Sequence, residues 1–334
     1  METPSRPRAS PVMIALAMGA LYFFWGSTYL GIKIAVEGYE PFFMAAVRNL
    51  IAGALIYAFV RLRGAPAPTR ESWKVAAIVG GLLLLGGNGL VTYASRYAPS
   101  GVVSVIVATL PLWMVLLDRP RLEDGSRSRV GAVVVGGVLI GFAGVIVLIA
   151  PMIAAALGAS ADGVQAMEGV AVAICLISSL CWAVGSMYSK RTRARGEGGS
   201  PFRDTGMQLL CGGMMLLIAS VALGEPWRMT TEKVFATPWP TVAIAYLVVF
   251  GSLVGYSAYI WLLSVAPAPR VATYAYVNPI VALLIGWAIG GEQLSTRTIV
   301  AASIIIGSVA VIVSARASPA AAKSDHAEES QHDG

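Results

Sequence analysis

Long apolar runs, separated by short polar segments, repeat along almost the whole chain. The hydrocarbon core of a bilayer is about 30 Å thick, and a helix needs about 20 predominantly apolar residues to cross it. Ten runs are close to that length: Val12–Val36, Phe42–Val60, Trp73–Ala94, Gly101–Leu117, Val130–Ala150, Gly169–Tyr188, Asp204–Leu223, Val242–Leu263, Val271–Gly290 and Ile299–Ser314. The pattern predicts an all-α polytopic membrane protein with ten transmembrane helices. Because the first run is too long for the core of a cleaved signal peptide, we expect it to be retained.

The composition supports a membrane protein. Of the 334 residues, 57% are hydrophobic and only 13% are charged, which is more apolar surface than a soluble core of this size could bury. We therefore expect no soluble domain.

The distribution of Lys and Arg predicts the topology, because positive residues concentrate on the cytoplasmic side. Of the 24 such residues, 18 lie in segments on the side of the N-terminus, four lie on the other side, and two, Lys33 and Arg48, lie inside helices. Both termini are thus predicted to be cytoplasmic, with tails at residues 1–11 and 315–334, the second of them disordered. Orientation accounts for the net charge of +6, so we expect no nucleic-acid partner.

The two halves of the chain resemble each other. Shifts of 157, 160 and 168 residues superpose similar residues in successive helices: Trp25 on Trp182, Pro41 on Pro201, Gly53 on Gly213, Gly87 on Gly255 and Pro111 on Pro279. Residues 12–150 and 169–314 are predicted to be two repeats of five helices, joined by an extracytoplasmic linker at 151–168. Since five is odd, the second repeat enters the membrane upside down, which is typical of transporters with a substrate site near the midplane.

Several kinds of chemistry are excluded. The three cysteines lie in apolar runs and the two histidines, His326 and His332, lie in the C-terminal tail, so neither a disulfide framework nor a metal site is expected. Neither a phosphate-binding loop nor a dinucleotide motif is present, and we expect no cofactor. Any transport would be driven by a gradient or by a separate subunit.

Charges inside the membrane are functional candidates by default. Arg48 and Lys33 could hold an anionic group of a substrate, such as a carboxylate. Alternatively, Arg48 caps carbonyls or pairs at the rim, and Lys33 pairs with Glu37 one helical turn away. All carboxylates lie in loops, tails or helix ends, so the usual proton-relay residue deep in a span is missing and proton coupling is not predicted.

Aromatic and amide side chains fall at repeat-related places in the spans. An apolar cavity with a few placed polar groups suits a small amphiphilic ligand. The candidates for substrate contact are Trp25, Tyr29, Arg48, Asn88, Thr92, Trp182, Tyr256, Tyr259, Tyr274 and Asn278. The alternative for the aromatic residues is an interfacial belt. Asn88 and Asn278 are the stronger candidates, because an amide that faces lipid in mid-span is costly.

Two prolines lie at related positions within apolar runs, Pro111 and Pro279. A proline removes one helical hydrogen bond and bends the helix, which hydrocarbon tolerates only where protein or a cavity covers the freed carbonyl. We predict that these prolines let two gate helices bend. Glu292, at the outer end of the helix with Pro279, is expected to be a cap or rim residue.

Together these motifs resemble the EamA family of the drug/metabolite transporter superfamily, and within it the YedA-like exporters. The resemblance covers about Ile14 to Ser314. It is carried by six short motifs: Trp25 to Tyr29 with Lys33, Arg48, Gly87 to Gly89, Pro99 to Pro111, Phe250 to Ser252, and Ala275 to Glu292. It implies a ten-helix carrier of the bacterial inner membrane that exports metabolites, amino acids or drugs by alternating access. The first repeat departs from the pattern after Pro111, where Asp118 soon follows, so the resemblance assigns no role matching that of Glu292 to Asp124.

The sequence thus predicts a secondary transporter of small organic molecules and no enzyme. One alternative is a membrane enzyme such as a lipid or prenyl transferase, for which Asp118, Glu123 and Asp124 are the one candidate carboxylate cluster. A second alternative is a non-transporting membrane sensor. The oligomeric state, the coupling ion and the substrate are not predicted.

Overall fold

A computed structural model describes residues 10–117, 132–157, 163–194, 200–266, 271 and 273–317, and within them the secondary structure is helical, without strands. We number the helices α1 to α13 in chain order. They are α1 Pro11–Gly38, α2 Pro41–Leu62, α3 Arg70–Ala94, α4 Ser100–Val107, α5 Leu110–Leu117, α6 Ala132–Leu157, α7 Gly163–Ala194, α8 Pro201–Ala222, α9 Glu225–Arg228, α10 Thr231–Phe235, α11 Trp239–Val265, α12 Tyr274–Ala288 and α13 Thr296–Ala317.

Six of these helices are long and apolar enough to cross a membrane: α1, α2, α3, α7, α8 and α11. Four shorter apolar helical stretches, Ser100–Met114, Val135–Leu148, Val277–Ala288 and Thr296–Ile312, fall in the remaining predicted spans. The predicted all-helical membrane fold is confirmed at this level, and the count of ten spans stays a prediction.

The structure differs from the predicted boundaries most clearly in the fourth span and in the linker between the repeats. The fourth predicted span is broken at Ala108 and Thr109 into α4 and α5. The helices α6 and α7 also extend into the stretch assigned to the linker, since α6 ends at Leu157 and α7 begins at Gly163. Most of the tails at 1–11 and 315–334 lies outside the described residues.

Local sequence explains where several helices begin. Pro41 and Pro201 occupy the first helical positions of α2 and α8, where a missing N–H breaks no hydrogen bond and the fixed φ favours the helix. Side-chain caps start α3 and α8, because Thr69 accepts a hydrogen bond from the Ser72 N–H and Ser200 accepts one from the Arg203 N–H.

The helices α2 and α8 pack against each other along their length through glycines. A Cβ on Gly53 would lie 2.9 Å from the Leu209 Cβ, one on Gly213 would lie 2.9 Å from the Leu50 Cγ, and one on Gly206 would lie 2.9 Å from the Tyr57 nitrogen. Residue numbers rise along one helix as they fall along the other, so the two helices are antiparallel. Small residues at a crossing let backbones approach closely in a membrane.

Three helices contain a wider, π-helical segment: Leu21–Trp25 in α1, Gly81–Gly89 in α3 and Leu247–Tyr256 in α11. Such segments interrupt the regular ladder of backbone hydrogen bonds, and side chains of other helices bond to two of their carbonyls. Trp25 Nε1 donates to the carbonyl of Gly251 at 3.1 Å, and the hydroxyl of Ser178 donates to that of Gly87 at 2.7 Å. Within hydrocarbon, backbone polar groups must be bonded inside the protein.

Carboxylates tie helix ends together at one face of the bundle. Glu225, which follows α8, accepts hydrogen bonds from the Phe42 and Phe43 N–H groups at the start of α2. Glu40 accepts two hydrogen bonds from the guanidinium of Arg96, at 2.8 and 2.9 Å. The hydrogen bond to Glu40 raises the pKa of Arg96, so this guanidinium stays charged at any working pH.

Candidate substrate cavity

A cavity of about 80 Å³ lies between the middle portions of the long helices, bounded by residues of α1, α2, α3, α7, α8 and α11 together with residues of α4, α5 and α12. A space of this size holds several water molecules or a small ligand group. Its wall combines aromatic rings, aliphatic side chains and a few polar groups.

The structure brings eight of the ten predicted contact residues to this one cavity. Those that line it are Trp25, Tyr29, Arg48, Asn88, Trp182, Tyr256, Tyr274 and Asn278. Because they come from six different helices, their shared location follows from the packing of the bundle and not from closeness in sequence. Their part in substrate binding stays a prediction.

Thr92 and Tyr259, the other two predicted contact residues, are not among the residues that line the cavity. Thr92 is fully buried and its hydroxyl donates to the Asn88 carbonyl, 2.8 Å away and one turn earlier in the same helix. The hydroxyl of the buried Tyr259 is hydrogen-bonded to Ser186 at 3.0 Å. The hydroxyls of both residues are thus bonded to other groups of the protein, outside the cavity lining.

Four lining residues carry buried polar atoms that have no hydrogen-bond partner in the protein: Nε and Nη1 of Arg48, Nε1 of Trp182, and Oδ1 of Asn88 and Asn278. A buried polar group without a partner is unfavourable by about 1–3 kcal/mol. The cavity therefore offers a ligand a cationic donor, an indole donor and two amide acceptors.

Arg48 gives the cavity a positive charge. Its side chain is only 5% exposed, and no Asp or Glu is present among the lining residues that the structure describes. Lys33 lies elsewhere, with its Nζ 3.4 Å from the Ala98 carbonyl, and within the described segments no ion pair joins it to Glu37. Of the two intramembrane cations, only Arg48 reaches the cavity.

Aromatic rings from three helices pack edge to face around Trp25. Its ring centroid lies 5.7 Å from that of Trp182 and 5.3 Å from that of Tyr274, with interplanar angles of 88° and 86°. Edge-to-face pairs are favourable arrangements for aromatic quadrupoles. This cluster forms an aromatic wall beside the polar groups.

Sequence reasoning missed several polar lining residues, namely Thr28, Asn49, Ser178, Ser179 and Ser252. Asn49 could have been found by the argument that singled out Asn88 and Asn278, since it is also an amide in mid-span. Its amide donates to the Ala45 carbonyl at 2.8 Å, and its Oδ1 accepts from the Ser252 hydroxyl at 3.4 Å. The serines gave no comparable signal because a serine can bond to its own helix backbone.

The two predicted gate prolines occupy different places in their helices. Pro279 lies inside α12, where it has no N–H to donate to the carbonyl of Ala275, so one helical hydrogen bond is missing. Pro111 is the second residue of α5, directly after the break at Thr109, where a proline fits the start of a helix. Both are buried beside cavity residues, Leu110 in one case and Asn278 in the other.

Glu292 lies away from the cavity. Its carboxylate accepts hydrogen bonds from the N–H groups of Ser100 at 2.8 Å and Gly101 at 3.2 Å, the first two residues of α4. An anion at a helix N-terminus is stabilised by the unsatisfied N–H groups and the helix dipole. The carboxylates Asp118, Glu123 and Asp124 lie outside the described residues.

The arrangement defines a class of protein, a polytopic helical membrane protein with a cavity between the middle portions of its helices. The family model of the EamA-like transporter family matches residues 12–150 and 169–314. The chain belongs to this family, within the drug/metabolite transporter superfamily, and is a membrane transporter of that type.

Curated relatives agree with this assignment. The chain is 38% identical over 301 residues to the inner membrane transporter YedA of Escherichia coli K12, and the match covers 89% of each chain. It is 26% identical to the transporter YvbV of Bacillus subtilis strain 168, over 89% of this chain and 90% of the relative. A solved crystal structure with 21% identity superposes with a TM-score of 0.60, covering 90% of this chain and 96% of the other, and so shares the fold.

Proposed function

We propose that the protein is a secondary transporter that exports small organic molecules, such as metabolites, amino acids or drugs, across the bacterial inner membrane. Its relatives are named as transporters, and YedA is named as a protein of the inner membrane. The observation that carries the proposal is the cavity between the helices, whose unpartnered polar groups come from helices of both halves of the chain.

The mechanism is alternating access between two inverted repeats of five helices each. Support comes from α2 and α8, which are antiparallel, are both 22 residues long and begin at prolines exactly related by the 160-residue shift. Further support comes from two contacts that the repeat relates to each other, Trp25 with Gly255 and Trp182 with Gly87. A cavity between inverted repeats can open to either side as one half rocks against the other.

The orientation follows from the distribution of positive charge. The ends of α2, α5 and α7 and the starts of α3 and α8 face the arginine-rich loops, which are assigned to the cytoplasm. Both termini are then cytoplasmic as well. The carboxylates Glu40, Glu225 and Glu292 belong to the opposite face.

The chemistry of the wall indicates what the substrate carries. Arg48 has free donors and no carboxylate among its described neighbours in the wall, so it attracts one anionic group, such as a carboxylate. The free amide oxygens of Asn88 and Asn278 require N–H or O–H groups on the same ligand. The aromatic wall suits an apolar body between these polar ends.

The proposal is tested by a resistance and metabolite-efflux screen of cells that overproduce the protein, followed by flux measurements on the hits in proteoliposomes. Overproduction should raise efflux of carboxylate-bearing compounds, and Arg48→Ala should abolish the effect while leaving the amount of protein in the membrane unchanged. Arg48→Lys, which keeps the charge but not the planar donor array, should retain part of the flux.

Two outcomes would contradict the proposal. If purified protein binds a hit compound but moves none of it across the liposome membrane, the protein is a sensor. If Arg48→Ala transports anionic hits as well as the parent does, the cavity assigned here is not the substrate path.

A further inference from the structure

We propose that two repeat-related pairs of side chains, Gln208 with Tyr256 and Arg48 with Asn88, close opposite ends of the cavity in alternation. The inference rests on the proposed function, because it assigns residues to the two gates that alternating access requires. The asymmetry between the two pairs in the structure supplies the evidence.

The pair on the side assigned to the cytoplasm, Gln208 with Tyr256, is joined by a hydrogen bond and is called the inner pair. The hydroxyl of Tyr256 donates to Oε1 of Gln208 at 2.8 Å, and both side chains are 3% exposed. Tyr256 belongs to α11 and Gln208 to α8, so the bond joins two helices. For a molecule to pass between these helices, the bond must break.

A second, smaller cavity lies directly beyond this bond. Tyr256 lines the central cavity, whereas Gln208 lines the smaller one together with Ser72, Ser189, Thr192 and Asp204. These residues belong to the arginine-rich ends of α3, α7 and α8, which are assigned to the cytoplasm. The smaller cavity holds about 20 Å³, enough for one water molecule. The Gln208–Tyr256 bond therefore separates the substrate cavity from a polar pocket on the cytoplasmic side.

The internal repeat relates this pair to Arg48 and Asn88. The shift of 160 residues that superposes Pro41 on Pro201 superposes Arg48 on Gln208, and the shift of 168 that superposes Gly87 on Gly255 superposes Asn88 on Tyr256. Arg48 and Gln208 each lie seven residues after the proline that begins their helix. At 1.5 Å per residue both are about 10 Å deep, and because α2 and α8 are antiparallel, they approach the midplane from opposite faces.

The outer pair, Arg48 with Asn88, is not joined by a hydrogen bond in this structure. Nε and Nη1 of Arg48 and Oδ1 of Asn88 are buried, line the same cavity and have no hydrogen-bond partner in the protein. These groups are complementary, since a guanidinium donates and an amide oxygen accepts. In the opposite state of a carrier built from inverted repeats, the two ends exchange conformations. Arg48 would then donate to Asn88, while Gln208 and Tyr256 separate.

In this assignment, the Gln208–Tyr256 hydrogen bond closes the cavity toward the cytoplasm, and no bond between Arg48 and Asn88 closes it toward the outside. It also gives the unpartnered atoms a second use besides substrate binding. Arg48 has five N–H donors, so a bond to Asn88 leaves donors free for a substrate anion.

The test measures from which side the cavity is accessible. Val107, which lines the cavity, is replaced by Cys in a background in which Cys175, Cys181 and Cys211 are replaced by Ala. A membrane-impermeant thiol reagent is applied to right-side-out and inside-out vesicles, and the ratio of inside to outside labelling rates is recorded. No substrate is needed.

Tyr256→Phe and Gln208→Leu should each raise the inside-to-outside ratio by roughly 3- to 10-fold, the shift that loss of one hydrogen bond produces. The double variant should match the single ones, because each removes the same bond. Asn88→Leu should lower the ratio by a similar factor, because it removes the bond that forms only when the outer end is closed. If either Tyr256→Phe or Gln208→Leu fails to fold, the other tests the same bond.

Tyr259→Phe is the matched control. It removes a buried tyrosine hydroxyl one turn away, which is bonded to Ser186 and lies outside the cavity wall, so the ratio should stay at the parent value. The proposal is overturned if folded Tyr256→Phe and Gln208→Leu leave the ratio unchanged, if Tyr259→Phe shifts it equally, or if Asn88→Leu shifts it in the same direction as Tyr256→Phe.

The labelling separates this proposal from the proposed function. Shifted ratios in a protein that moves no compound across liposomes would support the two gates and contradict transport. Flux with ratios that do not respond to the variants would support transport and contradict the gates.

Discussion

Gly255 of α11 lies against the indole of Trp25 so closely that a Cβ at this glycine would be 2.5 Å from the Trp25 Cδ1. The same indole donates its N–H to the carbonyl of Gly251, four residues earlier. The missing side chain at Gly255 thus lets Trp25 reach a π-helical carbonyl and form part of the cavity wall. Gly87 stands in the same relationship to Trp182, with a Cβ distance of 2.6 Å to Cε3.

Gly255→Ala should force the Trp25 ring to move and weaken its bond to Gly251. Overpacking of this kind destabilises by about 1–3 kcal/mol. We expect a lower melting temperature in a detergent thermal-shift assay and slower flux. Gly307→Ala is the control, because nothing lies within 4 Å of a Cβ at that position of α13. Equal melting temperatures for the two variants would contradict the close contact.

Pro279→Ala should restore the helical hydrogen bond to Ala275 and stiffen α12. If α12 bends during transport, the variant should insert normally into the membrane and transport more slowly in proteoliposomes. Pro41→Ala is a suitable control, since Pro41 occupies the first position of α2, where its missing N–H breaks no bond. Unchanged flux through Pro279→Ala would count against a gating role.

Glu292→Ala should destabilise the contact between α12 and α4, because the Ser100 and Gly101 N–H groups lose their charged acceptor. Loss of a helix cap is typically destabilising by about 1 kcal/mol. Thermal unfolding of the purified protein measures the effect. The melting temperature of Glu292→Gln, which keeps one acceptor oxygen, should lie between those of the parent and Glu292→Ala. The exposed Glu71, paired only with Lys74 at 3.7 Å, provides the control Glu71→Ala, which should melt like the parent.

Arg96→Met should destabilise the protein more than Arg228→Met does. Arg96 makes two short hydrogen bonds to the nearly buried Glu40, whereas Arg228 is 56% exposed and lies 3.6 Å from the same carboxylate. Exposed ion pairs contribute little, and removal of one partner matters more as the other is buried. A larger fall in melting temperature for Arg228→Met than for Arg96→Met would contradict this order of the two ion pairs' contributions to stability.

Some of the candidate site could be predicted from single positions. An amide or a cation in the middle of an apolar span is unfavourable unless the protein gives it a use, and this criterion alone pointed to Arg48, Asn88 and Asn278, all of which line the cavity. That criterion does not apply to the hydroxyl-bearing Thr92 and Tyr259, because a hydroxyl can be bonded within its own helix or to a neighbouring one, and sequence does not tell which. It applies to Lys33 but does not place it, because the long side chain reaches the Ala98 carbonyl and not the cavity.

The sequence by itself determined the class of protein and the resemblance between its halves, since hydropathy, charge distribution and repeated residues are properties of local segments. Only the tertiary structure decided which polar groups face a common space and which of them are already bonded. The three π-helical segments rotate the residues that follow them, so the face of a helix that meets the cavity does not follow from a uniform 3.6-residue period. The contrast between the bonded pair Gln208–Tyr256 and the unbonded pair Arg48–Asn88 likewise depends on contacts between helices, so it could not be predicted from the sequence.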